Sequence, residues 1–196
     1  EKKKVERGME QTRNQQYNRE QLKEQGLVAF LEDKAVLPRE SGVSAKPMKG
    51  AVPFASPESM KVTMDLPYAG KITGMGIKKG ITLIVGGGYH GKSTLLKALE
   101  MGVYPHIAGD GREYVITESD AVKIRAEDGR SIKDTDISMF INELPNGKDT
   151  NTFSTEDASG STSQAANVVE AMEAGADAIP IDAATPETKF TVREEL

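Results

Sequence analysis

Hydrophobic and polar positions change rhythm several times along this chain, and each change predicts an element. Residues 9–25, MEQTRNQQYNREQLKEQ, are polar helix formers closed by Gly26. They predict a helix with few apolar positions, one that needs a partner surface. LVAFL at 27–31 reads as a short strand. After it, Pro38, Pro47, Pro53 and Pro57 with Gly42 and Gly50 break any regular element and predict an extended connector around the core. Met60, Val62, Met64 and Leu66 then alternate with polar partners, the pattern of a strand with one buried face. GKITGMGIKKG at 70–80 reads as a turn into ITLIV at 81–85. That run is apolar without alternation, as in a central parallel strand covered on both faces. Further strands are expected at 113–117 (EYVIT) and 121–126 (AVKIRA). ISMFI at 137–141 is a short apolar piece before a loop over 142–161. A helix follows from Ser161 to Gly175, with Ala165, Val168, Val169 and Met172 on one face.

Composition narrows the classes. A chain of 196 residues, 37% hydrophobic and 28% charged, holds one substantial domain with a smaller appendage. The net charge of −5 and the lack of Trp give no sign of a broad nucleic-acid surface, although net charge leaves a local basic groove open. With no cysteine, disulfides and thiolate chemistry are excluded, and His90 and His106 alone make no zinc site. No apolar run reaches membrane-spanning length, and the opening EKKKVERGMEQ lacks the apolar centre of a signal peptide. The expectation is a cytoplasmic protein without a membrane segment. Because the first residue is Glu1, the chain reads as part of a longer protein.

The chemistry concentrates at ITLIVGGGYHGKSTLL, residues 81–96. Gly86, Gly91, Lys92 and Ser93 match G-x-x-x-x-G-K-[ST], with Gly87, Gly88, Tyr89 and His90 between and Thr94 after. Glycines let the backbone curl so that successive N–H groups face an anion, and the helix beyond adds its positive end. Lys92 reaches β- and γ-phosphates, and Ser93 offers a hydroxyl to Mg²⁺. An apolar strand before the motif, and Leu95 and Leu99 on one helix face after it, are the context such a loop needs. His90 reads as a spacer whose backbone does the binding.

A second helix start stands out. Ser159, Gly160 and Ser161 precede Thr162, Ser163 and Gln164, placing hydroxyls and N–H groups at a positive helix end. Ordinary capping explains this arrangement, and so does a second phosphate cradle that closes on a nucleotide held by another subunit.

These stretches, with LKEQGLVAFLEDKAVLPRESGVS and DISMFI upstream of ELPNGKDT, closely resemble the predicted ABC-class ATPase family, which lacks membrane domains. The resemblance implies an α/β fold: an ABC-type P-loop core with a mixed sheet, preceded by a helix and an extended segment and incomplete at its C-terminal end. Residues 1–58 would be that preceding part, and 59–196 the nucleotide-binding domain. It further implies a homodimer that sandwiches Mg-ATP, with Ser159, Gly160, Ser161 and Gln164 as the signature touching the partner's nucleotide. Asp182 takes the place of the acidic residue that helps Ser93 hold Mg²⁺.

The chain departs from that pattern at the next residue. Ala183 stands where a carboxylate should polarise the attacking water, and Pro180 interrupts the strand before it. A switch histidine after the acidic motif is missing, and neither Glu156 nor Glu187 has the spacing to replace the base. Tyr68 and Phe54 are the aromatic residues placed to stack on adenine or, equally, to pack. Asn142 and Glu143 suit a γ-phosphate-sensing loop and a plain surface loop alike. ATP hydrolysis and nucleotide gating without hydrolysis both remain open at this point.

Overall fold

The structure, a computed structural model, describes residues 2–80, 82, 84, 91–124, 126–144, 147, 149–176, 178 and 179. It is α/β, as expected, and divides into two units, Glu1–Ala121 and Val122–Leu196.

The first unit opens with helix α1, Lys2–Glu24, which begins well before the expected residue 9 because KKKVERG is also rich in helix formers. Strand β1, Leu27–Glu32, falls where a short strand was expected, and strand β2, Lys61–Leu66, where alternation placed it. Strand β3, Gly70–Lys78, corrects the reading of residues 70–80 as a turn. Helix α2, Lys92–Met101, and strand β4, Val115–Thr117, complete the unit. The sheet order is β2-β3-β1-β4 and each of these pairings is antiparallel. Residues 81, 83 and 85 of the expected parallel strand lie outside the described residues.

Both faces of this sheet are covered. One carries Ala29, Leu31, Met75, Ile77 and Val115 against Leu95, Ala98 and Leu99 of α2. The other carries Phe30, Met64, Leu66 and Ile116 against Leu22 of α1. Phe30, fully enclosed, is worth about 2–3 kcal/mol in transfer from water.

Helix α1 docks in an unusual way. Its buried side chains are Asn14, Gln15, Asn18, Gln21 and Leu22, four of them amides. Gln15 Nε2 donates to the carbonyl oxygens of His106 at 2.8 Å and Glu113 at 2.9 Å. Gln21 donates to the Asp65 carbonyl at 2.6 Å and accepts the Asp65 N–H at 3.2 Å. Asn14 accepts the Tyr68 N–H and donates to the Tyr114 hydroxyl. The helix therefore finds its partner surface largely through hydrogen bonds to backbone.

The second unit contains strands β5, Arg130–Thr135, and β6, Phe153–Ala158, as an antiparallel pair, and helix α3, Gly160–Glu173. Strand β6 corrects the expected loop over 142–161. Among residues 121–124 and 126 no strand forms: Ile124 turns onto Val168 and Ala171, and the Val122 N–H donates to Ala178 O at 3.0 Å. Ile132, Ile137 and Phe153 close on Ala165 and Ala166 of α3. Arg130 forks onto Asn167 and Glu170, tying β5 to α3.

Candidate functional site

The described part of the phosphate loop begins at Gly91; Gly86, Gly87, Gly88, Tyr89 and His90 lie outside the described residues. Gly91 is the N-cap of α2 and adopts a left-handed conformation, φ 84°. No atom of the described residues stands within 4 Å of where its Cβ would be, and the left-handed conformation by itself asks for glycine. The helical ladder starts with the Leu95 N–H on Gly91 O at 2.9 Å. The amides of Ser93 and Thr94 therefore precede any intrahelical acceptor and stand at the positive end of the helix. Ser93 is exposed, while Lys92 and Thr94 are half-buried. An anion of several oxygens is what such a turn accommodates.

At the other end, α2 is bound to β4. Thr117 Oγ1 donates to Leu99 O at 2.7 Å, and the Thr117 N–H donates to Gly102 O at 3.0 Å. Arg19 of α1 adds Nη2 to the carbonyl oxygens of Gly102 and Val103, each at 3.3 Å, and Nη1 to that of Thr117. Burial holds the Arg19 pKa below its usual value, against the opposing field of Glu118. Nothing in the hydrophobic periodicity signalled this arrangement, because Arg19 sits in a run that reads as solvated helix.

The serine-rich turn sits at the start of α3. Ser159 is its N-cap, with extended backbone and its Oγ facing the Thr162 N–H at 3.5 Å. Ser159 Oγ also lies 3.2 Å from Ser161 Oγ and 3.0 Å from Thr162 Oγ1. Ser159 and Ser161 are exposed, whereas Thr162, Ser163 and Gln164 are buried. Ser163 Oγ accepts the Glu127 N–H at 2.8 Å, fixing the turn to the preceding segment. A Cβ on Gly160 would stand 3.0 Å from Asp128 Oδ1, so glycine is favoured there by space. That carboxylate also gives the approach some negative character. Gln164 is 1% exposed, and among the described residues neither its Oε1 nor its Nε2 has a hydrogen-bond partner.

The other sequence candidates separate. Phe54 packs on the sheet face that carries Leu95 and exchanges backbone hydrogen bonds with Lys34 and Ala35. Tyr68 is half exposed; its hydroxyl accepts from Arg13 Nη1 at 2.8 Å, and with Tyr17, Glu20 and Pro67 it lines a cleft of about 270 Å³. His106 is enclosed, with Nδ1 2.5 Å from Asp110 Oδ2, and Arg39 holds the other Asp110 oxygen at 2.5 Å. Beside it, burial and the like charge of Arg39 lower the Arg112 pKa to about 10, Asp110 opposing. Asn142, Glu143 and Glu156 are exposed. Asp182, Ala183 and Glu187 lie outside the described residues. Among the described residues no three acidic or histidine side chains gather as a metal site, and no helix is long and apolar enough to cross a membrane.

Comparison with known proteins agrees with this geometry. The ABC_ATPase P-loop domain matches the chain over residues 1–196. The chain is also 37% identical over 142 residues to the uncharacterized protein MJ1628 of Methanocaldococcus jannaschii. That alignment covers 68% of this chain and 32% of the relative, so the matched part spans about a third of the relative's length.

Proposed function

Because the chain belongs to the ABC-ATPase P-loop family, we propose that it binds Mg-ATP at Gly86–Thr94 and hydrolyses it in a head-to-tail homodimer. The observation that carries this reading is the left-handed Gly91 opening α2 directly onto Lys92, Ser93 and Thr94. Loop and first-turn amides hold phosphate oxygens, and Lys92 neutralises their charge. Ser93 fits a magnesium ligand, since its exposed hydroxyl is a hard oxygen donor at the first turn of α2. Asp182 would join it in holding the ion. When bound there, the ion would draw charge from the terminal phosphates. Ser159, Gly160 and Ser161 meet the γ-phosphate of the second subunit's nucleotide, their hydroxyls and amides aimed from the positive end of α3. Gln164 completes that signature from the first turn of α3, where its side chain is enclosed. A cytoplasmic setting belongs to the same reading, since the family the chain resembles lacks membrane domains.

A second reading is favoured by one residue. Ala183 follows Asp182, and a methyl group neither orients water nor accepts its proton. On that reading the protein is a nucleotide-gated binding module that closes on ATP without turning it over.

Titration with Mg-ATP, phosphate release and solution mass, each with Lys92→Ala as control, test both. Binding lost in the control and a mass that doubles with ATP are expected. Failure of the unaltered chain to bind would overturn both readings, and binding without release above the control would select the module.

A further inference from the structure

Helix α2 has ten residues, with Ala98 and Leu99 as its buried side chains. So small an apolar seat leaves the helix dependent on what holds its last turn. Thr117, Arg19 and the close contact at Gly102 all act there. A Cβ on Gly102 would come 2.5 Å from Thr117 Oγ1 and 3.1 Å from Val115 O. A helix is stiff along its axis, so whatever fixes its last turn also fixes the direction of its first. The charge logic is consistent. A guanidinium at the C-terminal carbonyls and an anion at the N-terminal amides each occupy the end the helix dipole favours.

Arg19 belongs to α1, and α1 is held largely by amide-to-backbone hydrogen bonds. Asn18, fully enclosed, has both amide atoms without a partner among the described residues, which costs the docked helix stability. Lys23 of α1 stands 3.3 Å from Glu118, a carboxylate only 3% exposed. The docking of α1 is thus specific in geometry, set by named hydrogen bonds rather than by a broad apolar face.

We infer that Arg19 is a positioning residue for the nucleotide site: by holding the C-terminal turn of α2 against β4, it sets the phosphate-binding turn at the opposite end. Docking of α1 and binding of Mg-ATP then stabilise each other. The inference rests on nucleotide binding at Gly86–Thr94.

The test compares Arg19→Ala, Arg19→Lys and Gln21→Ala with the unaltered chain, using titration with Mg-ATP and amide hydrogen exchange of α1. Arg19→Ala should weaken Mg-ATP binding about tenfold, the scale of one charge-assisted hydrogen-bond set, and Arg19→Lys should recover part of it. Gln21→Ala removes one α1 contact at Asp65, away from α2, and should lower the affinity clearly less than Arg19→Ala does. Mg-ATP should slow exchange in α1 of the unaltered chain and not in Arg19→Ala, as reciprocal coupling requires. Unchanged affinity in Arg19→Ala, or an equal loss in Gln21→Ala, overturns the inference. Should Arg19→Ala not fold, Arg19→Gln decides by the same criteria. If Lys92→Ala abolishes binding while Arg19→Ala leaves the affinity unchanged, the inference alone fails. If the unaltered chain binds no Mg-ATP, the nucleotide reading fails first and the inference with it.

Discussion

A Cβ on Gly74 would overlap the carbonyl oxygen of Leu31 and stand 2.7 Å from Phe30 Cζ. Strands β1 and β3 approach closely at this residue, and both contacts lie in the packed interior. Gly74→Ala should destabilise the first unit by about 3 kcal/mol or more, since backbone and a buried ring would both have to move. Urea unfolding measures it; a midpoint near that of the unaltered chain would contradict the register of β1 on β3.

The Glu32 carboxyl titrates at about 7, pushed up by burial first, then by Glu113 and Asp33, against the pull of Lys34. Between its ordinary value of 4.5 and about 7, the unfolded chain has released this proton while the folded chain keeps it. Its contribution to stability is therefore fully present below that window and is lost as pH rises through it. Allowing for partial exposure, the loss amounts to about 1–2 kcal/mol. Glu32→Gln should flatten the stability profile across the window and be the more stable form at pH values above about 7. Thermal or urea unfolding at several pH values would show it.

Gln164 is enclosed with its amide unpaired among the described residues. Gln164→Met keeps the length of the side chain and removes the unpaired polar atoms, so it should raise stability by about 1 kcal/mol. ATP-dependent gain in mass should persist in this variant. Its loss would mean that the amide itself acts in assembly.

On the proposed reading, Ala183 stands where cleavage would need a carboxylate. If the chain closes on ATP without turnover, Ala183→Glu should produce phosphate release that Lys92→Ala then abolishes. Release from the unaltered chain at the rate of Ala183→Glu would show that another group serves as base.

Much of this fold was legible. Met60, Val62, Met64 and Leu66 announced β2 because one of its faces is buried and the other wet, and Leu95 and Leu99 announced α2 for the same reason. Strand β3 was hidden by Gly70, Gly74 and Gly76, which read as turn residues. In the fold Gly74 is required by Leu31 and Gly76 by Val62, whose methyl carbon would be 2.9 Å from an added Cβ. Strand β6 was hidden because FSTEDA buries only Phe153 and Ala158, too sparse a rhythm to separate from a polar loop. At the candidate site, the glycine-lysine-serine run and the Ser159 cap could be read directly, since backbone conformation and capping leave local signatures. Arg19 could not. Its acceptors are backbone carbonyls far along the chain, and a carbonyl is the same whatever side chain it carries.

One contact of α1 has a separate consequence for the sheet. Strand β2 is outermost, and the Gln21 side chain meets both the N–H and the C=O of Asp65, on the side turned away from β3. A primary amide has the same donor and acceptor as a peptide group, so Gln21 occupies the place of one residue of a missing neighbouring strand. With α1 docked, that stretch of edge is closed to extended segments of other chains. With α1 displaced it becomes a template for intermolecular pairing, so the helix that steadies the nucleotide end of the unit also guards its solubility.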